Sequence, residues 1–293
     1  MTSQVIDSVP VAAHYAGMRE SITVPPACTP PPAAYPAEAA TRARGGGRHD
    51  VELSDRWISL GGSVNGGYLL ACCLRALAAE LPHPDVLVAS ACFLRPGVPG
   101  PAVVDTEVVR AGRRTSTGTA TLRGGGRELL RVQATFADHA AAGGPTLVRN
   151  GPPRLPDPGA CADPLAGLDL PGVTIAERVA VRMPEPAGFW RGRPGGVTRG
   201  EFWLRPTEGE ALDSIAAALL VDAAAPVVLD AGVAGSSTLE LTVHVRRRPA
   251  PGWLACRVRT DYLIDGFHEE DFEIWDSTGA LVAQARQLAL VPA

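Results

Sequence analysis

The residues most suited to take part in a reaction are Asn65, Gly66, Gly67 and Tyr68, which begin a segment with helical periodicity. Each glycine in the first turn of a helix costs about 1 kcal/mol relative to alanine, and glycine is tolerated where another group approaches the backbone closely. The bare N–H groups of a helix N-terminus suit a carbonyl oxygen that gains negative charge during a reaction. The pattern therefore predicts an oxyanion site, and the alternative is a turn followed by a tight packing contact.

The helix predicted over residues 66–81 is apolar on nearly every face. Leucines recur along one stripe, and the opposite side is mostly alanine and cysteine, with only Arg75 and Glu80 carrying charge. A helix of this kind must be enclosed by other elements, and it is too short to span a membrane. The helix therefore predicts a second element that wraps around it.

Other chemical signatures are missing from the sequence. It has no GxSxG nucleophile elbow and no glycine-rich run with the lysine of a phosphate loop. His83, His244 and His268 do not have the spacing of metal ligands, so we expect no metal and no cofactor. The run His268-Glu269-Glu270-Asp271 is typical of a hydrated strand edge.

Composition narrows the class of protein and its compartment. The 293 residues carry a net charge of −4 and 5% aromatic residues, which argues against a nucleic-acid partner. The six cysteines form no CxxC pair, which indicates a reducing compartment. We see neither a basic segment followed by an apolar one at the start of the chain nor an apolar run of transmembrane length. We therefore expect a cytoplasmic protein without a membrane partner.

The two halves of the chain repeat one unit. The second helix is predicted from a capping box at Thr207 and Glu210 and ends near Asp222. Each helix has strand patterns before and after it, with Pro/Gly turns at nearly equal offsets in the two halves. The predicted strands are 49–53, 86–95, 102–110, 115–123 and 128–137, then 174–183, 201–204, 239–246, 253–264, 268–275 and 281–290.

One helix enclosed by a curled antiparallel sheet is the hot-dog arrangement. We therefore predict an α+β fold, a double hot-dog of two tandem helix-plus-antiparallel-sheet repeats whose sheets can join edge to edge. The predicted segments are an Ala/Pro-rich extension (1–45), an N-terminal hot-dog (46–140), a Pro/Gly-rich linker (141–173) and a C-terminal hot-dog (174–293). Open sheet edges favour a homodimer or a higher homo-oligomer.

Over roughly residues 48–292 the chain resembles the double hot-dog acyl-CoA thioesterases of the bacterial acyl-CoA thioesterase II type. In the first half the matching segments are Trp57 and Gly61-Gly62 with Asn65-Gly66-Gly67-Tyr68, Phe93-Leu94-Arg95-Pro96 with Pro99-Gly100, and Val109-Arg110-Ala111-Gly112-Arg113. In the second half they are Glu201-Phe202-Trp203-Leu204-Arg205, Thr238-Leu239-Glu240-Leu241-Thr242-Val243-His244 and Gly279-Ala280-Leu281-Val282-Ala283-Gln284. The resemblance implies a hydrolase that takes acyl-CoA as substrate and releases free fatty acid and CoA, with a place in lipid metabolism. It also implies that Asp222, Thr238 and Gln287 hold and activate the hydrolytic water. Around the Thr the family pattern has an Asp-His pair, whereas this chain reads Leu239-Glu240-Leu241-Thr242.

The residues themselves support these three positions unequally. A carboxylate at a helix C-terminus, such as Asp222, is disfavoured by roughly 0.3–1 kcal/mol, which favours a functional role over a solvated helix end. Gln287 interrupts a small, apolar row of its strand, and a buried amide needs partners, either a water and a carboxylate or a neighbouring strand. By alternation Thr238 shares the side of Glu240 and Thr242, which is typical of a polar face.

Two other functions stay open. A hot-dog hydratase or dehydratase would carry an Asp and a His about five residues apart on the first helix, and this sequence has neither there. A non-catalytic acyl-CoA or lipid-binding protein would leave Asp222 and Gln287 in structural roles. Arg113-Arg114 and Arg246-Arg247-Arg248 would suit the phosphates of CoA, or they form solvated faces.

Overall fold

The computed structural model describes residues 35–208 and 212–292. Its helices are α1 (Tyr35–Glu38), α2 (Gly66–Glu80) and α3 (Ser214–Leu220). The strands are β1 (Arg42–Gly45), β2 (Arg48–Leu53), β3 (Asp85–Phe93), β4 (Gly100–Ala111), β5 (Thr115–Gly124), β6 (Arg127–Ala137), β7 (Val179–Arg182), β8 (Arg199–Pro206), β9 (Ser237–Val245), β10 (Leu254–Arg259), β11 (Leu263–Ile264), β12 (Phe267–Trp275) and β13 (Leu281–Leu290).

All these strands belong to one sheet, and each pairing is antiparallel. Their order is β1-β2-β4-β5-β6-β3-β9-β13-β12-β10-β8-β7, with β11 paired to β12. β3 and β9 join the two halves edge to edge, with Ser90 opposite Thr242. Each half carries one buried helix, which confirms the predicted double hot-dog.

α2 fills the first half as its apolar sequence predicts. Asn65 caps it by accepting a hydrogen bond from the Tyr68 N–H at 3.0 Å, and its leucines are fully buried against the sheet. In the described part of the chain, no helix is long and apolar enough to cross a membrane.

α3 is shorter than predicted, and the capping box was wrong. Asp213 caps α3 and accepts from the Ala216 N–H at 2.8 Å. Thr207 instead donates its hydroxyl to the carbonyl of Glu177, and Glu210 lies outside the described residues.

α2 and α3 run antiparallel. Arg75, late in α2, pairs at 2.6 Å with Asp213 at the start of α3. At the other end, a Cβ on Gly67 would collide with the carbonyl oxygen of Leu219, late in α3. This packing brings the start of α2 beside the residues that follow α3.

Two further segments differ from their predicted form. The single strand predicted over 253–264 is interrupted, so that β10 ends at Arg259 and the two-residue β11 follows. Residues 35–45, within the predicted extension, form α1 and β1, and Tyr35 is buried in the core. Residues 1–34 of that extension lie outside the described chain.

Candidate active site

A cavity of about 440 Å³ lies between the start of α2 and the segment that follows α3. Both halves of the chain contribute to its wall: residues 59–61, 63–66, 69 and 93–97 from the first half, and residues 222–226, 229 and 236–239 from the second. Among the described wall residues, Asp222 and Arg95 are the charged ones. The remainder of the wall is mainly small and apolar.

Asp222 is held by the helix start that faces it. Its Oδ2 accepts from the Gly67 N–H at 2.7 Å and from Asn65 Nδ2 at 3.2 Å. The same Asn65 amide group also donates to the Asp222 carbonyl at 2.7 Å. No described residue hydrogen-bonds to Oδ1, so one carboxylate oxygen is anchored and the other keeps its accepting capacity.

Burial raises the pKa of Asp222 to about 6, although the two hydrogen bonds from Gly67 and Asn65 lower it. A carboxylate takes up a proton most usefully when its pKa lies near the working pH. Asp222 therefore has the anchoring and the pKa of a general base.

The two glycines allow this approach. A Cβ on Gly66 would lie 2.9 Å from Asp222 Oδ2 and 2.9 Å from the Phe93 ring, and one on Gly67 would lie 3.1 Å from Asp222 Cβ. Real Cβ atoms essentially never pack as closely as 2.9 Å, and a contact of 3.1 Å is also unusually tight. The glycines that weaken the helix start therefore admit the carboxylate.

The residues predicted for the oxyanion site have partly different partners. The N–H groups of Gly67 and Tyr68 already donate to Asp222 and Asn65. The Tyr68 ring stacks on Trp57 with centroids 5.3 Å apart, and the Tyr68 side chain is buried. Of this group, Gly66 lines the cavity and has an N–H that pairs with no acceptor in the described chain. The expectation that Gly67 and Tyr68 supply free donors needs correction.

Thr238 and Gln287 meet directly. The Thr238 hydroxyl donates to Gln287 Oε1 at 2.8 Å, and Gln287 Nε2 donates to Glu270 Oε1 at 3.0 Å. Thr238 lines the cavity, whereas Gln287 is buried behind it. Asp222 lines the same cavity as Thr238 and makes no hydrogen bond with either residue among the described contacts.

A β-bulge explains why alternation misplaced Thr238. Gln287 lies opposite Leu241 and Leu288 opposite Glu240, but the register then shifts so that Ala289 lies opposite Thr238. A bulge inserts one residue into one strand, so the residues beyond it change faces. Thr238 therefore turns from the polar face toward Gln287, and the polar-face assignment was wrong.

Glu270 is the functional candidate that sequence reasoning missed. The prediction of a hydrated strand edge is wrong at Glu270 and His268, which are 6% and 1% exposed. Both share their side of β12 with Phe272 and Ile274, which are buried. That alternation with two apolar residues was the available signal.

The arginine runs lie elsewhere. Arg248 pairs with the buried Asp85 at 2.6 Å, and Arg246 donates to Gln284 at 3.2 Å. None of the predicted runs lines the cavity. In the described residues, no group of three or more His, Cys, Asp or Glu side chains is arranged to hold a metal ion.

Comparison with known families matches both halves of the chain. The acyl-CoA thioesterase N-terminal domain matches residues 53–137, and the acyl-CoA thioesterase C-terminal domain matches residues 152–291. The chain belongs to the double hot-dog acyl-CoA thioesterase family. The family's two domains correspond to the two helix-plus-sheet repeats of the fold.

Three individual proteins are similar to this chain. An uncharacterized protein of Mycobacterium tuberculosis is 30% identical over 267 residues, which cover 83% of this chain and 90% of the relative. The structure of a candidate thioesterase II of Thermobifida fusca is 30% identical with a TM-score of 0.79, covering 88% of this chain and 97% of that one. An acyl-CoA thioesterase II of Mycobacterium marinum is 19% identical with a TM-score of 0.69, covering 88% of this chain and 98% of that one, and shows the fold alone.

Proposed function

We propose that this chain hydrolyses acyl-CoA thioesters to a free fatty acid and coenzyme A. The observation that carries the proposal is the anchored carboxylate of Asp222, which lines the same cavity as Thr238. Family membership supplies the reaction class, and this geometry supplies a base, a polar partner and room for a substrate.

In the proposed step, a water in the cavity attacks the thioester carbonyl carbon. Asp222 Oδ1 accepts one proton of that water, because Oδ2 is already engaged by Gly67 and Asn65. The carbonyl oxygen gains negative charge, and a carbon–oxygen bond forms. The carbon–sulfur bond then breaks, and the departing thiolate takes the proton from Asp222 to leave as the CoA thiol.

Two groups in the cavity wall would stabilise this charge development. The Gly66 N–H, without an acceptor among the described residues, is placed to donate to the carbonyl oxygen as it becomes negative. The Thr238 hydroxyl donates a hydrogen bond to Gln287 Oε1, so the hydroxyl oxygen can accept a hydrogen bond from the attacking water.

The rim of the cavity suits the two ends of an acyl-CoA. Arg95 is exposed, and its Nη1 donates to the Glu128 carbonyl at 3.1 Å rather than to a carboxylate. Since Arg95 has no carboxylate partner among residues 35–208 and 212–292, it can bind a CoA phosphate. Leu69 and Phe93 supply an apolar wall for the acyl group.

The assay is thiol release from a panel of acyl-CoAs of increasing chain length, measured beside direct binding of the same compounds. We expect time-dependent release of CoA and free acid by the purified chain. Binding without thiol release would favour the acyl-CoA-binding alternative, and loss or gain of water across a double bond would favour the hydratase or dehydratase.

We also propose a cytoplasmic enzyme that assembles as a homodimer or a higher homo-oligomer. The support is the sheet itself, which ends in the short strands β1 and β7 and therefore presents unpaired backbone groups at both edges of the described part. Light scattering after size-exclusion chromatography measures the assembly, and a monomer at micromolar concentration would contradict it.

A further inference from the structure

A buried carboxylate lies directly behind the proposed site. Glu270 on β12 is 6% exposed. Its Oε2 accepts from the Val227 N–H at 2.9 Å, and its Oε1 accepts from Gln287 Nε2 at 3.0 Å. Since Gln287 in turn accepts from Thr238, these side chains form one chain of hydrogen bonds that ends at the cavity wall.

The direction of that chain follows from hydrogen-bond chemistry. A side-chain amide has one end that donates and one that accepts, whereas an ionised carboxylate only accepts. Ionised Glu270 therefore requires the Nε2 end of Gln287, which leaves Oε1 for Thr238. Thr238 must then donate to Gln287, and toward the cavity its hydroxyl oxygen can only accept.

We propose that Glu270 is a positioning residue of the hydrolytic site, which sets the orientation of the Gln287 amide and so makes Thr238 an acceptor for the attacking water. The inference rests on the proposed function, because this water is the one that Asp222 would activate. Glu270 itself does not touch the substrate in this scheme, since it is buried behind Gln287.

Protonation of Glu270 would reverse the direction of these hydrogen bonds by turning the Gln287 amide end for end. A protonated Glu270 donates to Oε1 of a turned Gln287 amide, whose Nε2 then donates to Thr238. The Thr238 hydroxyl would point its proton into the cavity and compete for the water's lone pair. The pKa of Glu270 is raised to about 8, mainly by burial and also by the charge of Asp222, although the Val227 and Gln287 N–H groups lower it.

The titratable groups around Glu270 are few in the described structure. Asp222 approaches from the segment after α3 and is the charge that raises the pKa of Glu270. His268 lies on the same side of β12, its Nε2 is 2.9 Å from the Ser236 hydroxyl, and burial lowers its pKa. Asp230, in the turn that begins at Val227, accepts from the N–H groups of Phe189 and Val197.

The test is Glu270→Gln in the full chain, followed by thiol release from an acyl-CoA that the parent hydrolyses. The new amide must accept from the Val227 N–H, so its NH₂ group faces Gln287 and turns that amide around. We expect kcat to fall about tenfold to a hundredfold with KM unchanged, as for other displaced positioning groups. We also expect a rise in kcat near pH 8 in the parent and its loss in the variant.

Glu269→Gln is the matched control, because it removes the same charge from the same strand. In the parent chain, the Glu269 carboxylate accepts hydrogen bonds from the N–H groups of Asp261 and Tyr262 in the neighbouring hairpin. It should keep the parent kcat and pH profile. Glu270→Asp is a second variant in case Glu270→Gln does not fold, and its shorter reach should also lower kcat at constant KM.

The route through Gln287 has its own readout. In a Gln287→Leu chain, adding Glu270→Gln should change kcat by less than about twofold, because the group that Glu270 orients is already gone. If the losses in kcat of the two single variants multiply in the double variant, the inference is overturned while hydrolysis stands. The same holds if a folded Glu270→Gln or Glu270→Asp chain keeps the parent kcat, or if its KM rises at constant kcat. A parent that releases no thiol from any acyl-CoA overturns the proposed function and this inference with it.

Discussion

The two halves of the chain place very different residues at matching positions of the same sheet. In the second half Gln287 pairs with Glu270, and in the first half Ala134 pairs with Gly118 at the corresponding place. A buried carboxylate and amide in one repeat thus correspond to a glycine and an alanine in the other. One repeat uses these positions for packing, and the other uses them for hydrogen bonding.

The third matching position leads to the same conclusion. A register shift lies between Val86 and Val88 in β3, and an equivalent shift lies beside Thr238 in β9. The repeated bulge turns both Val86 and Thr238 out of simple alternation. In the first half that residue is apolar and fully buried, whereas in the second half it is the hydroxyl of the cavity wall.

Helix length provides the physical reason for the difference. α2 has 15 residues and covers Gly118, where a Cβ would lie 2.8 Å from Leu77 Cδ2. α3 has seven residues, and the chain after it supplies the Asp222 side chain and the Val227 N–H instead of another apolar turn. The long helix leaves no room for polar groups on its sheet, and the short helix leaves space for them and partners to satisfy them.

The largest expected effect is a loss of kcat that depends on which end of α3 carries the substitution. Asp222→Asn should lower kcat by about a hundredfold to ten-thousandfold, because an amide cannot take the water's proton. Asp213→Asn, at the other end, should keep the parent kcat, since asparagine also caps helices well. Thiol-release kinetics on both variants decide this, and an Asp222→Asn chain as fast as the parent would exclude Asp222 as the base.

The packing role of the first half predicts a stability effect. Gly118→Ala should lower the free energy of unfolding by about 1–3 kcal/mol, because its Cβ meets Leu77 and the Glu107 carbonyl at 2.9 Å or less. Gly151→Ala, where a Cβ meets nothing within 4 Å, should change it little. Urea unfolding of both variants is the measurement. Equal stabilities would mean that α2 does not limit what its sheet can hold.

The pH dependence of kcat/KM should reflect only titratable groups of the second half. The matching positions in the first half, Val86, Gly118 and Ala134, carry no titratable group. Because Asp222 must be ionised to act and burial raises its pKa to about 6, kcat/KM should rise about tenfold per pH unit below 6 and then level off until the further rise near pH 8 that we expect from Glu270. An acid limb near pH 4 would show that Asp222 is not the titrating base.

The smallest effect compares two arginines that follow matching strands. Arg95→Ala should raise KM for acyl-CoA about threefold to tenfold with little change in kcat, as expected for one exposed phosphate contact. Arg247→Ala, after β9 and outside the cavity wall, should leave KM unchanged. A salt-dependent KM difference between the two variants would support the phosphate contact, and identical KM values would argue against it.

Several features could be predicted because local patterns and final structure agree. The apolar periodicity of α2 and the spacing of turns predicted the repeat, and Gln287 could be recognised as an amide within an apolar row. The bulge beside Thr238 could not be predicted, because it depends on how β9 pairs with β13. Glu270 was missed because the charged residues beside it in the sequence made the segment look solvent-exposed, although Glu270 lies on the buried side of β12.

The sequence by itself determined the architecture of this protein, since helix and strand periodicities and Pro/Gly turns act over a few residues and need no distant contact. Tertiary structure alone decided which N–H groups are free. Asp222 lies 155 residues from Gly67 along the chain, and in the fold its carboxylate accepts the hydrogen bond of the Gly67 N–H. It also decided that Glu270 is buried, because burial depends on which helix covers a strand and for how many turns.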